Sequence, residues 1–172
     1  AYYRLDLESL TIRQKLRNTL GRASRDLTVE TGRDIRREHK KLITAFFKHH
    51  TADEETRYIF NKIPEYVKSA ESALVFSARN RRGKLVAFDV ADFDSEEYGF
   101  YMFNFISRKR YVPGASDLLL SSVIEECRRR GKRYLNLGLG INPGIEFFKK
   151  KWGAERFREY RFSHYLAVET ED

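Results

Sequence analysis

Between residues 74 and 139 the chain carries three strand-like runs, a helix-like run and a fourth strand-like run, an order that leaves few folds open. Residues 74–79, 84–93 and 98–107 are rich in Val, Phe and Tyr, and turn signals at 81–83 and 94–97 separate them. They predict an antiparallel meander. Residues 116–130 then place apolar side chains at helical intervals, Gly131 supplies a left-handed cap, and 134–139 return to strand. Strand, helix and strand in succession predict a right-handed parallel crossover. The expected fold class is therefore α+β: a mixed, mostly antiparallel sheet flanked by helices, with one parallel β-α-β unit.

The flanking segments extend this frame. Residues 9–24 set Ile12, Leu16, Leu20 and Ala23 three and four apart, among Arg13, Lys15, Arg17 and Arg22, which predicts an amphipathic basic helix. A short strand follows at 27–30. Thr31 with Asp34, and then Thr51 with Glu54, are read as starts of two further helices, the second broken before Pro64. Asn142 as N-cap and Pro143 in the first turn open a short helix that Gly153 ends, and 158–168 reads as a closing strand. On this reading residues 1–26 form a basic helical extension and 27–172 the main domain.

At 172 residues with 41% hydrophobic content, one core suffices without disulfides or metal. Cys127 is alone and sits on a helical apolar face, where a structural thiol is expected, and no Cys and His cluster suggests a metal. No apolar run approaches the roughly 18 residues of a membrane span, so the expected setting is cytoplasmic. The net charge of +8 concentrates in the first helices and the C-terminal third. Solvated helix faces and a surface for phosphate, tRNA or anionic lipid both account for it.

Three features together carry a resemblance. They are the basic helix with Arg13 and Arg17, the helix of 117–131 followed by Tyr134 to Gly138, and the run Gly144-Ile145 with Phe148-Lys149-Lys150-Lys151-Trp152-Gly153. On these residues the chain resembles the GNAT superfamily of N-acyltransferases, and within it the Fem-type aminoacyltransferases and lysyl-phosphatidylglycerol synthase C-terminal domains. The resemblance implies transfer of an acyl or aminoacyl group, from acyl-CoA or aminoacyl-tRNA, to an amine or hydroxyl of a small-molecule, lipid or peptide acceptor. It also implies that 98–107 and 134–139 splay apart around the acyl arm, with Tyr101 and Phe103 lining the slot and Gly138 at its far wall. Donor phosphates would lie at Gly114, Ala115 and Ser116, with Arg108 and Arg110 just upstream. Acetyl-CoA users carry a fuller glycine motif at this corner, and Asp117 is acidic, so both donors stay open.

The candidate chemistry follows from the same match. Lys149 would hold a phosphate or the developing negative charge, Asn136 is a polar group where the sheet opens, and Tyr160 would protonate the leaving group. Asp89, Asp92, Glu97 and His164 are further candidates for the base, none singled out by its neighbours. An alternative is a non-catalytic module that binds RNA or anionic lipid through the first helix and the cluster of Arg128, Arg129, Arg130 and Arg133, with peripheral membrane contact. A third is one half of a two-domain transferase.

Overall fold

The structure is a computed structural model and describes residues 1–163. The meander forms as its alternation predicts: β2 (Leu27–Gly32), β3 (Ala73–Asn80), β4 (Leu85–Asp92) and β5 (Tyr98–Ile106) pair antiparallel in turn. After α5 (Ala115–Arg129), β6 (Tyr134–Leu139) returns parallel to β5. Gly131 ends the excursion at φ 72°, a conformation that L side chains resist.

Residues 1–8, to which the sequence reading assigned no element, contribute β1 (Tyr2–Asp6). This strand lies inside the sheet, antiparallel to β6 on one side and to β7 (Glu155–Arg158) on the other. Among the described residues seven strands form one sheet, in the order β2-β3-β4-β5-β6-β1-β7. Tyr3 and Leu5 are buried while Tyr2, Arg4 and Asp6 are half-buried, a period-2 pattern too short to stand out between flanking polar residues. The basic helix, α1 (Gln14–Asp26), starts later than residue 9; its Leu16 enters the same core as β1, and Ala23 is buried as well.

The remaining helices are α2 (Arg37–His49), α3 (Glu54–Asn61), α4 (Ile63–Ser69) and α6 (Pro143–Lys151). Neither predicted start at Thr31 nor at Thr51 is used, because β2 runs on through Gly32 and because Asp53 takes the cap of α3, accepting from Thr56 N at 2.7 Å. Asn142 does cap α6, accepting from Ile145 N at 2.9 Å. Of the predicted closing strand over 158–168, Arg158 ends the earlier β7, residues 159–163 have no regular structure, and 164–168, His164 among them, lie outside the described residues.

The sheet separates two apolar layers. On one face, α1 and α5 cover Leu5, Phe76, Val86 and Leu135 with Leu16, Leu119 and Val123. On the other, α2 and α4 cover Val75, Leu85, Phe88, Val90 and Phe105. β3 and β4, sandwiched between the layers, are buried along almost their whole length, and this fixes their register against slippage.

Candidate active site

β5 and β6 pair over only three positions, Tyr98 with Tyr134, Gly99 with Leu135 and Phe100 with Asn136. Beyond them the strands part. The cause lies in β5, where Phe103 pairs with Val90 and Tyr101 with Ala91, leaving Met102 as an extra residue. Such a bulge bends its strand and interrupts the ladder. On the other wall, Gly138 has φ 77° and Asn136 Oδ1 accepts from Gly138 N at 2.8 Å, which kinks the end of β6 away. Asn136 is 7% exposed, so this turn-forming bond is its observed role in shaping the opening.

The bulge also decides which side chains face which layer. Simple alternation puts Tyr101 and Phe103 on one face. With Met102 inserted, Tyr101 joins the α5 layer, while Phe103 turns to the α2 layer and packs edge-on to Phe60 at 5.7 Å. The two residues therefore do not line one slot from the same face. Tyr101 instead meets Asp89, which pairs directly with Asn104 across β4 and β5.

Asp89 is fully buried, and Asn104 Nδ2 donates to its Oδ1 at 2.6 Å. Its Oδ2 has no partner of good hydrogen-bond geometry among the described residues, although the Tyr101 hydroxyl lies near enough to interact with the carboxyl. Burial pushes the carboxyl up to about 8, against the pull of Asn104 and the Tyr101 hydroxyl, so the acid form predominates at neutral pH. Burial, with Asp89 alongside, also holds the Tyr101 phenol well above its ordinary value. Ser116 Oγ in the first turn of α5 donates to Asn104 Oδ1 at 3.4 Å, a long bond. A polar line thus runs from the sheet interior to the start of α5.

The corner between β5 and α5 is tightly built. Gly114 adopts φ 82°, and a Cβ there would meet Thr19 Cγ2 at 2.9 Å and Ala23 Cβ at 3.2 Å, so α1 lies directly against it. Ala115 is buried and Ser116 half-buried. Arg108 and Arg110 are exposed on the loop leading in. The Asp117 carboxylate, which from sequence alone opposes a phosphate at this corner, is buried and occupied: Trp152 Nε1 donates to it at 2.9 Å, and Lys151 lies at 2.8 Å. Its charge is spent on joining α5 to α6.

That junction sets Lys149. The side chain is 5% exposed, and Nζ donates to Leu139 O at 2.6 Å, at the open end of β6 beside Gly138. Burial lowers the ammonium to about 8, with Glu146 pulling the other way. Lys149, Asn136 and Gly138 therefore gather on the β6 wall; Tyr101, Asn104 and Ser116 gather on the β5 wall. Tyr160 lies past β7, 52% exposed, its ring 6.4 Å from Tyr2, which pairs with Leu139. The sequence reading missed Asn104 and left Asp89 among several carboxylates. Only the direct cross-strand register singles them out.

A second buried polar group, absent from the sequence reading, is structural. His39 Nδ1 accepts from Arg36 N at 3.0 Å, which leaves Nε2 to donate to Ser77 Oγ at 2.8 Å. A histidine in that tautomer cannot take a proton from Ser77 and ties α2 to β3. Arg79 nearby is held by Glu30 and Glu38. Among the described residues no group of three or more His, Cys, Asp or Glu converges as a metal site, and no helix is long and apolar enough to cross a membrane.

No protein-family model matches the sequence, and no curated protein is significantly similar to it. Solved structures do match in fold. The C-terminal domain of a protein described as a lysylphosphatidylglycerol synthetase from Agrobacterium fabrum superposes with a TM-score of 0.66 at 21% identity, over 90% of this chain and 56% of that one. A tandem GNAT protein from the clavulanic acid biosynthesis pathway matches with a TM-score of 0.57 at 13% identity, over 91% of this chain and 49% of that one. AAC(6')-Iy, solved in complex with the bisubstrate analogue CoA-S-monomethyl-acetylneamine, matches with a TM-score of 0.55 at 15% identity, over 82% of this chain and 99% of that one. The chain thus has the GNAT fold, and it spans about half the length of the first two of these structures.

Proposed function

We propose that this GNAT fold is an acyltransferase domain that holds an activated acyl group between β5 and β6 and passes it to an amine or hydroxyl acceptor. The observation that carries this reading is the parting of the two strands immediately after Phe100 and Asn136, produced by the Met102 bulge and the Gly138 kink. A parted pair exposes strand-edge N–H groups on which a carbonyl can align. Polar side chains stand on both walls: Tyr101, Asn104 and Ser116 on one, and Lys149 on the other.

In the proposed reaction the acceptor nucleophile attacks the donor carbonyl, a tetrahedral oxyanion forms, and the bond to the donor sulfur or oxygen breaks as that atom takes up a proton. Lys149, charged and nearly dry, is placed to steady the negative charge from the β6 side. Tyr160 is the proposed proton source for the leaving group, near the same strand end. Arg108, Arg110 and the N–H groups at Gly114 to Ser116 are the proposed contacts for donor phosphates.

The donor we favour is a CoA thioester, in keeping with the CoA bisubstrate analogue held by AAC(6')-Iy. A second reading, an aminoacyl ester carried on tRNA, is favoured by one observation. α1 packs its Thr19 and Ala23 onto Gly114, closing one flank of the phosphate corner, and presents Arg17, Arg22 and Arg25 to solvent. Incubating the protein with radiolabelled acyl-CoAs and with aminoacyl-tRNAs, over a panel of amine acceptors and rising salt, separates the two. Transfer from acyl-CoA that tolerates salt supports the first; transfer from tRNA that falls steeply with salt supports the second. No turnover and no binding of either donor would leave the alternative of a non-catalytic RNA- or lipid-binding module. If the domain is half of a larger transferase, the acceptor contacts extend onto the other half.

A further inference from the structure

α2 begins in an unusual way. Its N-cap is Arg36, whose side chain carries only donors and so offers nothing to the free N–H groups of the first turn. The returning half of a capping box is present instead: His39, three residues on, turns its ring back, and Nδ1 accepts from Arg36 N at 3.0 Å. Glutamate or glutamine fills that place in the usual box, and neither becomes a cation. Histidine does. The ring is 2% exposed and held at both nitrogens, with Nε2 donating to Ser77 Oγ at 2.8 Å and Phe88 packed edge-to-face at 4.8 Å between centroids.

A proton added to this ring cannot leave the arrangement intact. On Nδ1 it sets N–H against N–H, and it puts a positive charge at the positive end of the helix. The surrounding charges do not offset this. Glu38 on α2 and Glu30 on β2 favour the cation, Arg36 on α2 and Arg79 on β3 oppose it, and both carboxylates are already bound to Arg79. Asp34, between β2 and α2, lines a small cavity of about 80 Å³ beside the ring, together with Ser77 and Arg79, and from β4 the ring meets Phe88. Burial holds the imidazole below its ordinary 6.5, in the direction the geometry requires.

We infer that His39 is an acid-released latch: while neutral it ties the start of α2 to β3, and protonation at Nδ1 frees the Arg36 amide and lets the first turn of the helix lift from the sheet. Nε2 keeps its hydrogen in the imidazolium and can stay on Ser77, so the opening is confined to the helix start. The closed form is fully favoured above pH 6.5 and is lost as pH falls towards the lower, folded-state value. Between pH 6.5 and 5, Asp89 already holds its proton, and Glu38, kept by Arg79 below its ordinary 4.5, has none, so neither adds to the change. The inference stands independently of whether the β5–β6 opening transfers acyl groups.

Amide exchange at Arg36, followed by NMR from pH 7.5 to 5 and corrected for intrinsic base catalysis, tests it. In the wild-type chain the opening constant should rise as pH falls, approaching about tenfold per pH unit below 6.5. His39→Gln can accept from Arg36 N and donate to Ser77 Oγ but takes no proton in this range; its opening constant should stay low and flat. His39→Ala should be open at every pH. Long-range ¹H–¹⁵N spectra of the wild-type histidines should show the His39 proton on Nε2 at pH 7.5. A wild-type opening constant that stays flat to pH 5 would overturn the inference, as would the same rise in His39→Gln. A proton found on Nδ1 at pH 7.5 would overturn it without recourse to any variant.

Discussion

The Asp89 carboxyl, fully buried on β4, makes stability depend on pH in a defined direction. The unfolded chain releases this proton near 3.8 and the folded one near 8, so across that window the native state holds a proton that the unfolded state has lost. Stability from this group is therefore full below about pH 4 and declines as pH rises towards 8, with a slope approaching about 1.4 kcal/mol per pH unit. Asp89→Asn should abolish that slope in urea midpoints measured from pH 4 to 8; an unchanged slope would assign it to other groups. Lys149 belongs to the same scale. If it steadies the oxyanion, Lys149→Met lowers kcat by about 10²-fold or more while KM changes little. A rise in KM alone would make it a binding group. Lys149 was singled out by its place in the matched C-terminal run, whereas Asp89 stood among several carboxylates; what sets both apart in the fold is burial, which the register of β4 and the seating of α6 impose.

At the scale of elements, two junctions hold the opening in shape. One is Asp117, which accepts from Trp152 Nε1 and Lys151 and so fastens α6 to the first turn of α5. Asp117→Ala leaves a buried indole N–H unpaired and should cost about 2–4 kcal/mol, with a red shift in emission from Trp152, the single tryptophan of the chain. An unshifted spectrum would mean that α6 keeps its seat without the pair. The other junction is Gly99, in the last stretch where β5 and β6 still pair. A Cβ there would overlap Cys127 Sγ and approach Leu135 Cδ1 at 3.2 Å, so Gly99→Ala should destabilise by about 1–3 kcal/mol. Cys127→Ala in the same chain should recover part of that loss; no recovery would place the clash at Leu135.

These junctions also explain what sequence reasoning could reach. The meander, the crossover helix and the Asn142 cap rest on local periodicity and on cap and turn residues, and they appear where those signals stand. β1 went unassigned, because a five-residue strand owes its place to β6 and β7 on either side rather than to its own pattern. The Met102 bulge left no mark in the sequence, yet it turns Phe103 away from Tyr101 and opens the strands. Asp117 shows the same limit, since its acidity was visible and its partners were not.

For the whole molecule, the account comes down to one opening in an otherwise continuous seven-stranded sheet. Its walls are Tyr101 to Ile106 on β5 and Leu137 to Gly140 on and just beyond β6, and they belong to a fold shared with acyltransferases that bind CoA. Hydrogen–deuterium exchange with a non-hydrolysable acyl-CoA analogue, and in parallel with a non-hydrolysable 3'-aminoacyl-tRNA analogue, reads those walls directly. The account predicts slowed exchange in both segments with at least one analogue, weakened in Lys149→Met. Protection confined to α1 or to the Arg128–Arg133 surface, with 101–106 and 137–140 unchanged, would contradict it.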